Sequence, residues 1–330
     1  WQQGNLRDVY LIHTETGKRT LVSRQRRGGA SLSPSGNFVV WYDWKKRHYF
    51  SYETATGVTR NVTAAIKVPL WDEEDEHPDD PPPAGWVGWL EQEGRFLVYD
   101  KYDMWQIDPA GAVQPKCITS GLGRLYRHSF RYVRTDPDEQ FVQNGQTILL
   151  RVFNEQSKGS GTHFYKMGEP FVWTPGADAT GNYGITTYFK AAKQLKLGYL
   201  KGSYQSSYDV FVVSAIDSSK RTTAAGAATT YKLGAALQLS QINPQQQQYS
   251  WGSAELFKWK AYNGKWSEGI VYKPENFDPR KKYPMICYFY ETHSETLHQY
   301  QPPAPTPSRL NVSFYVSRGY IVFSPDIHYT

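Results

Sequence analysis

Apolar positions along the chain fall in short runs broken by glycine, proline, asparagine and aspartate, a pattern of strands and turns more than of helices. Three segments share one turn: Thr14-Glu15-Thr16-Gly17-Lys18, Thr54-Ala55-Thr56-Gly57-Val58 and Asp108-Pro109-Ala110-Gly111-Ala112. Each follows an aromatic strand (9–12, 48–52, 104–107) and precedes a short strand ending near β-branched residues (21–22, 62–63, 118–119). A second shared piece lies upstream of two of them, Ser33-Pro34-Ser35-Gly36-Asn37-Phe38 against Glu93-Gly94-Arg95-Phe96. The turn glycines are 40 residues apart from Gly17 to Gly57 and 54 apart from Gly57 to Gly111, and the surplus of 14 equals the length of the acidic, proline-rich stretch 70–83. Tight turn, buried strand, second strand, glycine turn and outer strand describe a propeller blade, here with one loop insertion.

From 121 to 236 the repeat blurs while the grain of short strands continues. The pattern predicts strands over 146–153 and 164–173, then 183–189, 195–200 and 208–215, with 218–230 as an outer strand and its loops. Asn243-Pro244 and the glutamines 245–248 predict a linker. Residues 254–262 and 265–273 predict a hairpin about Asn263-Gly264. After it come two apolar runs, 285–290 and 320–323, lacking period-two alternation, with a helix-length stretch between them. Such runs suit strands of a parallel sheet buried on both faces. Residues 268–330 therefore read like the opening of an α/β-hydrolase sheet.

The expected fold class is mainly β: an incomplete β-propeller over 1–250, then the N-terminal strands of an α/β-hydrolase domain over 251–330. The 330 residues suit two domains, although the 62 positions after Glu268 are too few for a hydrolase domain to build its own core. Composition agrees with an all-β chain, since 51 aromatic residues (Trp 11, Tyr 25, Phe 15) accompany Gly 27 and Pro 20. The net charge of +6 is scattered, without a basic stripe interleaved with aromatics beyond 24–27, so no nucleic-acid partner is expected. Cys117 and Cys287 fall in separate predicted domains, Cys287 within a core strand, and no disulfide is expected. No run approaches the ~18 apolar residues of a membrane span. Compartment and oligomeric state are left open.

Propeller repeats followed by Gly269-Ile270-Val271-Tyr272-Lys273-Pro274-Glu275-Asn276-Phe277, Lys282-Tyr283-Pro284 and Arg318-Gly319-Tyr320-Ile321-Val322-Phe323-Ser324-Pro325-Asp326 resemble the prolyl oligopeptidase family of serine peptidases. The resemblance implies a propeller capping a hydrolase domain, with short peptides cleaved by a Ser-Asp-His triad. A hydrolase serine sits on a Gly-x-Ser-x-Gly elbow, and no such motif occurs in these residues. The elbow is expected after a further helix and strand beyond Thr330, so this chain is expected to be inactive by itself. Ser250-Trp251-Gly252 lacks the preceding glycine, and Ser324 ends a strand. His293 and His328 precede the expected serine, against the fold's triad order, and read as loop or core histidines.

What the resemblance carries onto residues is limited. Tyr290, ending the third hydrolase strand, matches the family tyrosine whose hydroxyl completes an oxyanion hole. The Gly-Gly-Pro-like turn usual after it is replaced by Glu291-Thr292-His293, and the Arg-Gly-like pair usual after Asp326 by Ile327-His328. Glu73 and Glu74, on the inserted loop, match in type the paired glutamates with which dipeptidyl-peptidase members hold a substrate's α-ammonium. The acidic loop around His77 lacks the ligand spacing of a calcium loop and reads as solvated, and neither a metal nor a cofactor is expected. The reading is of a peptidase portion with a peptide substrate; the alternative is a non-catalytic propeller serving as a binding or interaction module, with a degenerate hydrolase appendage.

Overall fold

A computed structural model describes residues 5–90, 94–175, 181–191, 193–194, 196–213, 216–304 and 308–328. Glu93, which opens one of the repeated turns, lies outside the described residues. The fold is mainly β, built of small sheets that follow one another along the chain.

A hairpin, β1 (Arg7–Ile12) and β2 (Arg19–Arg26), precedes two four-stranded antiparallel meanders. The first is β3 (Ser31–Leu32), β4 (Phe38–Asp43), β5 (His48–Glu53) and β6 (Thr59–Asn61). The second is β7 (Trp86–Trp89), β8 (Phe96–Tyr99), β9 (Met104–Ile107) and β10 (Lys116–Cys117). The repeated turns are alike: Gly17, Gly57 and Gly111 have φ of +66°, +74° and +70°, a backbone region in which a side chain is strained. A short helix, α1 (Leu122–Tyr126), leads to a three-stranded sheet of β11 (His128–Val133), β12 (Thr147–Asn154) and β13 (Ser160–Lys166). Next come β14 (Gly184–Lys190), β15 (Leu197–Ser203) and β16 (Ser206–Val213).

Here the structure departs from the sequence-based expectation. Residues 218–230 are no outer strand: β17 (Ile216–Thr223) and β18 (Gly226–Leu233) pair with each other from Ile216↔Leu233 to Thr223↔Gly226. The fourth strand beside β16 is instead β19 (Ala236–Gln238). The hairpin reaches β13, where Glu169 accepts hydrogen bonds from Lys220 Nζ (2.7 Å) and the Thr229 amide (2.5 Å). That long-range tie helps hold a segment rich in Ser, Thr and Ala, whose Ile216, Tyr231 and Leu233 pack against the neighbouring core. The predicted linker forms a single 3-10 turn, Pro244–Gln248, stitched by Gln246 to the Gln205 carbonyl.

The runs without alternation explain the packing. Along β8, Phe96 and Val98 join Val40, Tyr42 and Tyr49 of the preceding sheet, while Leu97 and Tyr99 join Phe130, Leu150 and Val152 of the following one. Along β12, Ile148, Leu150 and Val152 face the sheet before, and Leu149 meets Ile185, Leu197 and Val213 of the sheet after. β8 is thus buried on both faces, and β12 on both faces except at the exposed Arg151, because sheets stack in chain order.

The C-terminal sheet is mixed. β20 (Ser253–Lys260) and β21 (Trp266–Lys273) form the predicted hairpin, then β22 (Met285–Cys287), a helix α2 (Val312–Val316) and β23 (Ile321–Pro325) follow. Strand order is β20-β21-β23-β22, antiparallel up to β23 and parallel between β23 and β22, with the connection carrying α2. Ile270, Tyr272 and Val322 pack under Leu297, Val312 and Val316 on one face. The other face is open: Met285 is 61% exposed and Phe289 59%, and Cys287 is exposed rather than in a core. The run 285–290, whose lack of alternation suits a strand buried on both faces, is largely exposed among the described residues. Both cysteines are free, and no helix of the described residues is long and apolar enough to cross a membrane.

Candidate functional site

The loop 70–83 is closed at its neck. Trp71 bridges Pro83, the Asp72 amide donates to the Pro82 carbonyl (2.8 Å) and the Ala84 amide to the Leu70 carbonyl (2.9 Å), with Leu70 buried in the core beneath. Four of its seven acidic residues are exposed, as a solvated loop requires, yet most are ion-paired. Asp79 pairs with Arg27 (2.6 Å) and Asp80 with Arg47 (3.7 Å). Glu73 takes the guanidinium of Arg124 (2.5 Å), Glu74 the ammonium of Lys101 (2.7 Å), and Glu76 the His328 imidazole (3.1 Å). The cations that pair with this solvated run come from distant parts of the chain, which only the fold brings near.

Glu73 and Glu74 both line two adjoining cavities, of about 320 Å³ and about 880 Å³. One wall is the β-sheet region; the other is the C-terminal sheet's edge and the loop after β22. Glu155 sits between the two cavities. It accepts from Lys101 Nζ (2.8 Å) and from the Tyr102 hydroxyl. Burial pushes its carboxyl up, and these two donors outweigh that, so it lies below the usual glutamate range. Across the seam, Glu268 accepts from buried Lys158, from Lys258 (3.0 Å) and from the Ser294 hydroxyl (3.1 Å). Lys158 carries a left-handed backbone (φ +60°), which turns its side chain into this seam. Glu295, on the 3-10 turn Ser294–Thr296, lines both cavities, and its carboxyl is raised by burial first and then by Glu74.

The end of the C-terminal sheet is built around Asp326. Its carboxylate accepts the amides of His293 (2.6 Å) and Ser294 (2.8 Å), while His293 Nδ1 bonds the Ser324 hydroxyl (2.5 Å). The Ile327 amide donates to the Glu291 carbonyl (2.8 Å). Glu291 has φ +53°, in the region glycine favours. Tyr290 is 67% exposed and lines neither cavity; Glu291 and Thr292 beside it line the larger one. His293 and His328 act in these loop ties.

The larger cavity carries ten carboxylates against three lysine and arginine side chains, in a chain of net charge +6. Its field favours cationic groups such as an amino terminus. Among the described residues no group of three or more His, Cys, Asp or Glu is arranged to hold a metal ion. Sequence reasoning singled out Glu73 and Glu74, which line both cavities, and did not single out Lys101, Glu155, Lys158, Glu268 and Glu295. These lie singly at turns and strand ends, with no motif spacing, and only the fold converges them.

No protein-family model and no curated protein matches the sequence. Among solved structures the chain is similar to puromycin hydrolase, at 16% identity and a TM-score of 0.47, covering 93% of this chain and 43% of that one. A puromycin hydrolase mutant complexed with PGG matches at 15% identity and a TM-score of 0.47, with coverage of 93% and 43%. An acylaminoacyl peptidase of Pyrococcus horikoshii matches at 12% identity and a TM-score of 0.41, covering 97% of this chain and 60% of that one. The chain spans 43% of the length of the puromycin hydrolase structures it matches.

Proposed function

We propose that the chain is the propeller (1–250) and the N-terminal hydrolase portion (251–330) of a serine peptidase of the prolyl oligopeptidase family. It would act on short peptides with a Ser-Asp-His triad that these residues do not carry. The observation that carries this reading is the acidic cavity between the stacked sheets and the end of β23, walled from both sides and able to take a peptide's amino end. The motifs 269–277, 282–284 and 318–326 support it, lying on the hairpin, before β22 and into β23.

In this reading Glu73 and Glu74 hold the α-ammonium, exchanging part of their pairing with Arg124 and Lys101 for the substrate. Tyr290 supplies an oxyanion donor once the site is complete. Calorimetry of the chain with free-amine and N-acetylated dipeptides tests the first role: Glu73→Gln with Glu74→Gln weakens free-amine peptides about tenfold or more and leaves acetylated ones unchanged. Equal weakening of both, or none, overturns it. A fluorophosphonate probe with peptide anilides tests the triad assignment; the expected result is neither turnover nor label, and a labelled serine within 1–330 overturns it. In a longer, active protein, Tyr290→Phe lowers kcat with little change in KM.

One observation favours a second reading, a non-catalytic binding module. Glu291 and Thr292 put side chains where the family's glycines let backbone approach substrate, and Tyr290 is turned to solvent. Discovery of a Gly-x-Ser-x-Gly following residue 330 in the parent gene decides for the enzyme.

A further inference from the structure

Two arginines share a wall of the smaller cavity. Arg131 on β11 and Arg151 on β12 are direct cross-strand partners, a placement in which like charges repel. On the same face lie Ser129 and Phe153, also paired across the two strands, as period-two alternation requires. Neither guanidinium has a carboxylate ion pair among the described residues. Arg131 is spent on backbone carbonyls, those of Phe130 (3.0 Å), Lys101 (2.8 Å) and Asp100 (3.4 Å), and lies 4.6 Å over the Tyr99 ring. Burial lowers its pKa first, and Arg151 is among the groups that lower it further. Arg151 is exposed, and its side chain makes no hydrogen bond within the described residues.

The other two cations of that wall are taken: Lys101 by Glu74 and Glu155, Lys158 by Glu268. The cavity therefore presents one fixed guanidinium and, beside it, one free fork of donors. Holding two like charges together costs stability that an anion between them would return. A carboxylate matches the planar fork bidentately, whereas a point cation such as lysine would not orient it.

We propose that Arg151, backed by Arg131, forms a carboxylate-binding subsite in this cavity that reads a free carboxylate on a short peptide. The proposal rests on the reading above that the cavities take peptides, and it adds a second anchor opposite in charge to the acidic loop. The carboxylate has two sources, a peptide's C-terminus or an acidic side chain.

Calorimetry of the chain with N-acetyl-dialanine, its C-terminal amide, and N-acetyl-alanyl-aspartyl amide separates them. The expected result is that at least one carboxylate-bearing peptide binds about tenfold or more tightly than the dialanine amide. Preference for the free acid assigns the C-terminus, and preference for the aspartyl amide assigns the side chain. Arg151→Gln abolishes the preference with the melting temperature unchanged or slightly raised, since it relieves the repulsion with Arg131 and the side chain of Arg151 makes no hydrogen bond or ion pair within the described residues, and Arg151→Lys restores only part of it. Equal binding of all three peptides, or a preference that survives Arg151→Gln, overturns the subsite while leaving a peptide-binding cavity. Absence of binding by all three overturns the subsite, while the peptide-binding reading is judged separately by the free-amine dipeptides.

Discussion

β8 and β22 are apolar runs of the same kind, Phe-Leu-Val-Tyr and Met-Ile-Cys, and their fates differ. Every residue of β8 is buried, because the preceding sheet covers Phe96 and Val98 and the following one covers Leu97 and Tyr99. Met285 and Cys287 of β22 are exposed, and the core of that sheet lies on one side only, under α2. An unalternating run says that a strand tolerates apolar surroundings on both faces. It does not supply the neighbour. In the stacked region each sheet is the cover of the one before it, so burial follows from chain order.

The strongest way to break this comparison is truncation on each side of it. Phe96 is fully buried and packs with Tyr49, Trp86 and Trp89, so Phe96→Ala should cost about 3–5 kcal/mol. Met285→Ala should cost less than about 0.5 kcal/mol. Urea unfolding of both variants measures the contrast, and equal losses would mean that β22 is covered in solution.

Protonation sharpens the same point. Within the stacked region burial takes the His163 imidazole, packed on Phe171, down to about 4. A histidine with a depressed folded pKa is neutral in the fold, and the unfolded chain binds its proton first as pH falls below the usual ~6.5. Stability should therefore drop by about 2–3 kcal/mol between pH 6.5 and 4 and level off below. His163→Leu should flatten that window in denaturant titrations at stepped pH; an unchanged slope would place His163 in water.

Glu169 gives the opposite sign. Burial pushes its carboxyl up, but Lys220 and Thr229 outweigh that and bring it to about 2. Its contribution is present above the unfolded value of ~4.3 and is lost as pH falls toward 2. Glu169→Gln should cost about 1 kcal/mol at pH 7 by loosening the β17–β18 hairpin, with the difference from wild type closing below pH 4. Amide exchange of the hairpin, set beside the global unfolding curve, checks it.

The smallest effect on stability is expected where the largest effect on surface is. Met285→Lys with Phe289→Ser should leave unfolding free energy within about 0.5 kcal/mol and roughly halve binding of a hydrophobic dye. Undiminished dye binding would locate the open apolar surface elsewhere.

Much of the architecture is legible in the sequence because it is local. Gly17, Gly57 and Gly111 stand where the backbone needs positive φ, and Asn263-Gly264 stands at the connection of the β20–β21 hairpin. Strand spans read from apolar runs fall within a few residues of those observed, since side-chain size and turn chemistry act over neighbouring positions. The β17–β18 hairpin is illegible in the sequence: its Lys220 and Thr229 are held by Glu169, in the turn after β13.

The site divides the same way. Glu73 and Glu74 stand out as adjacent acids on an inserted loop, and that much is written in the chain. Their pairing with Arg124 and Lys101, the convergence of Glu155, Glu268 and Glu295, and the confrontation of Arg131 with Arg151 join residues tens to more than a hundred positions apart. Sequence determined the strands, their turns and the supply of charge, all short-range matters of backbone and side-chain chemistry. Which faces are covered and which charges are neutralised was decided only by the tertiary structure, because burial and Coulomb energy depend on distance in space.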